Sequence, residues 1–382
     1  MKRLLCLVAA LCLLVSGALA EESDLDAQVR RVFKAHKTVG GTVLAAKDGE
    51  IVYQLNYGYA DRASKTLVTD GTYFRVASVT KMISAIRVMQ LVEDGTLDLD
   101  EDLSTYLGFS MRNPYHPETA ITLRHLMTHT SSVNQGGGYG KAGRGISDLL
   151  SLSSKNKGNY YNEVPGKKYR YSNFGAGLMG SVLEAVTGQN VNDVITEGVF
   201  TPLGIDAAYH ASLLAHPENV SNTYDENGSL TRTAEKSIAL AWDPSVNPEE
   251  HYMITVGSLW ITGQDLCRQG MLLCDGGTLG DVTLLEAGTV AEMMASQQGK
   301  GGVQVDSPYG LCINRDTTLL ADRMVYGHQG LSGGIAANVY FEPESRFVFV
   351  MMTNGCSNGM QNRICAISRK LFALLWDAYG EP

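Results

Sequence analysis

Two β-hairpin patterns stand at opposite ends of this chain, and any fold it adopts has to bring them together or leave each with an unburied apolar face. From Gly41 to Tyr59, apolar and polar residues alternate on both sides of Asp48-Gly49, a dipeptide suited to the tight turn of a two-residue hairpin. Two further β-rich runs, Ile335 to Phe341 and Arg346 to Met352, flank Glu342-Pro343-Glu344-Ser345. A lone two-stranded hairpin is marginally stable in water, so both are expected in one antiparallel sheet built from both termini. Gln361 to Tyr379 carries apolar residues at helical spacing (Ile364, Ile367, Leu371, Leu374, Leu375) and is expected to pack on that sheet.

Helical periodicity fills the middle, at Lys81 to Asp94, Leu123 to Met127, Ala176 to Val186 and Val191 to Val199. The chain therefore reads as α/β (α+β), with a mostly helical lobe inserted into an α/β lobe. The expected boundaries are a signal peptide at 1–20 and one catalytic domain at 21–382. Within that domain the α/β lobe takes about 21–70 and 255–382, and the helical lobe about 71–254. A cleft between lobes is the natural substrate site, and the loops Gln135 to Arg144 and Tyr224 to Pro248 are expected to shape its specificity.

The signal peptide is read from Lys2-Arg3, the apolar run Leu4 to Val15, and the small residues Gly17, Ala18 and Ala20, with cleavage after Ala20. The apolar run is shorter than the roughly 18 residues that a membrane span requires. The expectation is a secreted or periplasmic protein that is not integral to the membrane after cleavage. Loss of Lys2 and Arg3 takes the formal charge from −9 to −11, which argues against nucleic acid as a partner. Five cysteines remain, Cys267, Cys274, Cys312, Cys356 and Cys365. The number is odd and there is no CxxC pattern, so small buried residues are the simplest reading.

Three short motifs carry chemistry. Ser78-Val79-Thr80-Lys81 opens a helical stretch, and residues three apart share a helix face at about 5 to 6 Å, so the hydroxyl and the amine can meet. A serine alcohol needs a base, and a lysine serves only as a free amine, which burial favours by lowering a pKa that is ordinarily about 10.4. The Ser78 amide, at the helix start, can bind an oxyanion. Tyr171-Ser172-Asn173 offers a phenol for proton transfer and a carboxamide for a substrate carbonyl. His328-Gln329-Gly330, at the edge of a strand, offers a positive or hydrogen-bonding side chain for a substrate carboxylate and backbone for a second oxyanion donor.

Two patterns are set aside. Gly330-Leu331-Ser332-Gly333-Gly334 matches GxSxG, but that elbow needs a helix after it and here a strand follows. His125 and His129 have a zinc-compatible spacing without the neighbouring glutamate of HExxH, so they are expected to be structural. No metal and no cofactor is expected.

Order and surroundings make the three motifs specific. Phe74 to Lys81, Leu91 to Asp100, Ile121 to Ser131, Pro202-Leu203-Gly204, Asp265-Leu266 and Thr353-Asn354 resemble the serine β-lactamase and penicillin-binding-protein superfamily, in its class C branch. The resemblance implies a β-lactamase/transpeptidase-like fold. It also implies Ser78 as nucleophile, Lys81 as activating partner, Tyr171 as general base and later acid, and Asn173 as a substrate and lysine contact. His328 stands where β-lactamases carry the lysine of KTG, and Gly330 completes HxG. The oxyanion donors it implies are the amides of Ser78 and Leu331. An HxG third motif is found in D-alanyl-D-alanine carboxypeptidases, D-aminopeptidases and esterases of this superfamily. The expected function is an exported serine hydrolase acting on a D-amino-acid peptide or small ester. The alternatives are a class C-like β-lactamase and a silent cell-wall-peptide binding protein. Ser132 stands where the superfamily usually has glycine.

Overall fold

The computed structural model describes residues 23–381; the expected signal peptide lies outside the described residues. Seven strands make one antiparallel sheet: β1 (Gly40–Lys47), β2 (Glu50–Asp61), β3 (Thr66–Leu67), β4 (Asn314–Asp316), β5 (Val325–Ser332), β6 (Ile335–Glu342) and β7 (Phe347–Thr353). Across the sheet the order is β4-β5-β6-β7-β1-β2-β3. The two ends of the chain join where β1 pairs with β7, from Gly41 opposite Thr353 to Lys47 opposite Phe347. Asp48 (φ 53) and Gly49 (φ 85) turn the first hairpin, both in the left-handed region that a type I′ turn requires.

β6 and β7 are buried along their whole length and β1 nearly so, because helices cover both faces of the sheet. Five are central: α1 (Asp24–Ala35), α2 (Val79–Glu93), α3 (Asn173–Thr187), α4 (Gly263–Cys274) and α5 (Ala366–Tyr379). Strand alternation sorts the core into two layers. Val43, Ala45, Tyr340 and Phe349 pack with Val29 and Phe33 of α1 and Leu371, Phe372 and Leu375 of α5. Leu44, Val339, Val348 and Val350 point the other way, toward α2, α3 and α4.

α2 is buried without a break from Val79 to Ile86, and α3 from Phe174 to Glu184. A helix surrounded by protein has no need of a polar stripe, which is why both read as nearly continuous apolar runs. The C-terminal helix begins later than its periodicity suggests. Met360–Gln361 and Ile364–Cys365 pair as a small hairpin, with Asn362 (φ 49) and Arg363 (φ 65) at its turn, so α5 starts at Ala366. Val191–Ile195 is helical and continues into a wider π turn through Phe200. The five cysteines among the described residues are all buried and form no disulfide with one another. Among the described residues no helix is long and apolar enough to cross a membrane.

Candidate active site

The serine turn is pinned from outside the helix that follows it. Phe74–Arg75 pairs with Trp260–Ile261, which pairs in turn with Ala207–Ala208, and Val76 N donates to Leu259 O at 3.0 Å. Ala77 then takes φ 45, a left-handed backbone that a residue with a Cβ adopts at a cost. This kink delivers Ser78 to the start of α2.

Lys81 sits one turn on and is fully buried. Its Nζ lies 3.0 Å from Ser78 Oγ and donates to Val256 O at 2.7 Å. Burial disfavours the ammonium and brings the pKa down to about 7, with the Cys312 side chain pulling weakly the other way. Near neutral pH a large fraction of Lys81 is therefore free amine with its lone pair available to the serine.

Tyr171 and Asn173 arrive on a segment laced to residues 129–130. Gly166 N donates to Thr130 O, Arg170 N to His129 O (both 2.8 Å), and Ser172 N to His129 Nδ1 at 3.3 Å. The His129 ring lies under Tyr171 with centroids 4.2 Å apart. It is buried, and desolvation with the nearby Lys81 and His328 keeps it neutral. His129 is outside the Leu123–Met127 helix, at φ 55, so the helical zinc spacing with His125 does not exist. Tyr171 exposes 36% of its surface to the cleft, while burial on its other side pushes its phenol pKa upward and a contact with Ser78 draws it back. It is a phenol at neutral pH. Asn173 opens α3, donates its backbone N–H to Gln135 Oε1 at 2.9 Å, and keeps a buried Oδ1 with no partner among the described residues. Lys81 is not hydrogen-bonded to Asn173 here.

On β5, His328 is 1% exposed. Its Nδ1 lies 2.7 Å from the Gln329 carbonyl oxygen, which fixes the proton on Nδ1 and leaves Nε2 as a buried, unpartnered acceptor. Burial and the neighbouring Lys81 lower its pKa to about 3. His328 is thus neutral and packed on Tyr309 at 5.4 Å, inside the protein rather than on the cleft wall. Gly330 is where the strand touches the serine turn. A Cβ there would fall 2.0 Å from Val76 O and 2.8 Å from Ser78 N. Gly330→Ala is expected to push β5 off the turn, lowering stability by about 1–3 kcal/mol and slowing labelling of Ser78 by a fluorophosphonate more than tenfold; chemical denaturation and timed intact mass check this.

The cleft encloses about 290 Å³. Ser78, Tyr171, Asn173 and Leu331 line it as expected from the sequence, and Lys81 stands behind Ser78. Gln329, Tyr169, Tyr309 and Arg363 line it too, and sequence reasoning passes over them. They come from β5, the segment before the YxN motif, the loop ahead of β4 and the turn ahead of α5. Neither Gln135 to Arg144 nor Tyr224 to Pro248 contributes to the wall, although Gln135 holds Asn173. Ser332 ends β5 and is followed by β6, so the GxSxG elbow is absent.

A seven-stranded sheet covered on both faces, with a serine at the start of a buried helix and a lysine one turn later, defines the serine β-lactamase and penicillin-binding-protein class. Residues 25–373 match the Beta-lactamase family, and the chain belongs to it. Esterase EstB of Burkholderia gladioli is 32% identical over 215 residues, 53% of this chain and 54% of the esterase, so the match spans about half of that relative. Penicillin-binding protein 4 of Amycolatopsis lactamdurans is 27% identical over 323 residues, 84% of this chain and 82% of the relative. The octameric penicillin-binding protein homologue from Pyrococcus abyssi superimposes with a TM-score of 0.72 at 20% identity, covering 94% of this chain and 77% of its own, which speaks to the fold.

Proposed function

We propose that the protein is an exported serine hydrolase that forms an acyl-enzyme on Ser78 and hydrolyses an amide or ester bond, with a D-amino-acid peptide or a small ester as substrate. The observation that carries this reading is the buried Lys81 amine 3.0 Å from Ser78 Oγ. A lysine held out of water beside a hydroxyl is costly unless its free-base form is used.

Lys81 Nζ takes the Ser78 proton as Oγ bonds to the substrate carbonyl carbon. The negative charge on the carbonyl oxygen is held by the amides of Ser78 and Leu331. Collapse of the tetrahedral species breaks the bond to the leaving group, which takes a proton from the Tyr171 hydroxyl as the proton held by Lys81 moves on to Tyr171, so both groups return to their starting forms. Water repeats the sequence on the acyl-enzyme and frees Ser78. The resemblance assigns the first proton acceptance to Tyr171; the raised phenol pKa favours Lys81 for that step and Tyr171 as the donor. Asn173 Oδ1, buried and unpartnered, is suited to accept from a substrate amide. The esterase and penicillin-binding relatives support both substrate classes without choosing between them.

Intact-mass analysis after exposure to a fluorophosphonate tests the reading. One adduct per chain, mapped to the peptide containing Ser78, is expected. A protein that stays unlabelled and hydrolyses no activated ester is a binding protein instead.

A further inference from the structure

A second concavity is lined by two arginines and no acid. Arg75 and Arg232 face a cavity of about 220 Å³ that has Trp260, Ser332 and Gly333 in its wall. It shares none of the residues that line the cleft, although Ser332 follows the cleft residue Leu331 on β5 and Arg75 stands three residues ahead of Ser78. The space suits a small ion or a single charged group, since a whole organic ligand usually fills roughly 300–1,000 Å³.

The two arginines come from distant segments. Arg75 lies in the strand pair with Trp260–Ile261, and its Nε donates to Gly257 O at 2.8 Å. Both of its terminal nitrogens are left without a protein partner among the described residues. Arg232 ends the short strand Leu230–Arg232 and stands opposite Thr223 in a hairpin. That hairpin is seated on the sheet: Tyr224 N donates to Asn354 O at 2.8 Å, and a Cβ at Gly334 would fall 2.5 Å from Tyr224 O. The Arg232 side chain is exposed and has no ion pair or hydrogen bond among the described residues.

Two like charges are thereby held around one cavity. Burial, and after it the charge of Arg232, lower the Arg75 pKa, yet a guanidinium stays protonated in proteins. An arginine drawn out of water is ordinarily paired; here no carboxylate lines the wall. Asp225, the acid on the same hairpin, is folded into its own turn, where Oδ1 accepts from Asn227 N and Ser229 N, both at 2.8 Å. The counter-charge for the pair has to come from outside the chain.

We propose that Arg75 and Arg232 bind a doubly charged oxyanion of the phosphate type, each guanidinium presenting its fork to one side of the anion. Such a head arrives as free phosphate or as the terminal group of a larger molecule. The assignment stands apart from the hydrolase reading, because binding alone reads it.

Calorimetric titration of the protein with inorganic phosphate, at an ionic strength held constant with chloride, is expected to show one saturable site with a Kd below about 10 mM. Arg232→Gln is the principal variant: the residue is exposed and supports no contact, so the melting temperature and the fluorophosphonate labelling of Ser78 should match wild type. The variant is expected to bind phosphate about ten- to a hundredfold more weakly, the range of a charge-assisted contact, and Arg232→Lys to recover part of the loss. Acetate, with a single charge, is expected to bind about tenfold more weakly than phosphate. Phenyl phosphate that binds as well as inorganic phosphate assigns the site to a group carried on a larger molecule; binding of inorganic phosphate alone assigns it to the free ion. No saturable binding, acetate binding as tightly as phosphate, or an affinity within twofold of wild type in Arg232→Gln overturns the assignment. In the last case a fall in affinity with Arg363→Gln places the anion in the cleft instead.

Discussion

With Ser78 changed to alanine, hydrolysis of an activated ester is expected to fall by roughly 10³- to 10⁶-fold, the range seen when a covalent nucleophile is removed from an otherwise intact site. The covalent adduct with benzylpenicillin is expected to vanish with it. The change deletes one half-buried oxygen whose contacts are Lys81 and Tyr171, so the fold should survive, and circular dichroism of the variant should overlay that of wild type. Timed intact mass separates the remaining possibilities. A persistent adduct in wild type points to a carboxypeptidase-like enzyme with slow deacylation. An adduct that forms and disappears with release of product points to β-lactamase activity. No adduct in wild type, with ester turnover intact, describes a cleft closed to penicillins. An adduct that survives in Ser78→Ala removes Ser78 from its role and sinks the mechanism.

What could be read in advance follows from where local and global demands agree. Asp48-Gly49 needs a left-handed turn and the strands around it need alternation, so that hairpin is visible in the sequence and present in the structure. α1 carries an equally legible signal that is absent from the expectations above: Leu25, Val29, Val32 and Phe33 keep helical spacing behind a Ser23 cap. β5 is the opposite case. Val-Tyr-Gly-His-Gln-Gly-Leu-Ser has two glycines where a strand prefers bulk. A Cβ at Gly327 would fall 2.0 Å from Val339 O, and one at Gly330 2.0 Å from Val76 O. Close approach to β6 at Gly327 and to the serine turn at Gly330 erased the local strand signal. α4 is hidden in a similar way by Gly263 and Gly270, which lower its helix propensity and lie within reach of Leu44 and Val348.

The site divides along the same line. Ser78 and Lys81 are neighbours on one helix, so their meeting follows from spacing. Tyr171 and Asn173 depend on contacts with His129 and Gln135, some 40 residues away, and only resemblance placed them. His328 was read as a positive or hydrogen-bonding residue; burial removes the charge and leaves the hydrogen-bonding half of that reading, with Nε2 free as an acceptor. Arg363, Tyr309 and Tyr169 had no signal, because tertiary structure alone brings their segments to the cleft.

Lys81 supplies the second large effect, because its cost to the fold and its value to the reaction have one source. The reactive form is the free amine, so kcat/KM should be level above about pH 7 and fall about tenfold per unit once the pH is well below the Lys81 pKa of about 7. His328 (pKa about 3), His129 (well below its ordinary value) and Tyr171 (well above its own) keep their charge states through that window, so the inflection belongs to Lys81. The stability sign follows from the same shift. In the unfolded chain Lys81 titrates near its ordinary value of about 10.4. Between about pH 7 and 10.4 the unfolded state therefore binds the extra proton, and the contribution of Lys81 to stability rises with pH. Below about pH 7 both states are protonated and the full penalty, on the order of 4 kcal/mol, is present. Lys81→Met lifts that penalty and leaves Val256 O without its donor, a loss of about 1–3 kcal/mol. The variant is expected to be inactive by roughly 10³-fold or more, yet at pH 6 to melt a few degrees above wild type, the usual conflict between a working site and a stable one. At pH 9.5 the wild-type penalty has shrunk to about 1 kcal/mol, so the advantage of the variant should disappear or reverse. Thermal melts of both proteins at the two pH values, with a pH–rate profile of wild type, read all of this out. A profile that stays level to pH 5, or a Lys81→Met that melts below wild type at pH 6, means that the lysine is stored as a paired ammonium. The proton acceptor for Ser78 then has to be sought at Tyr171.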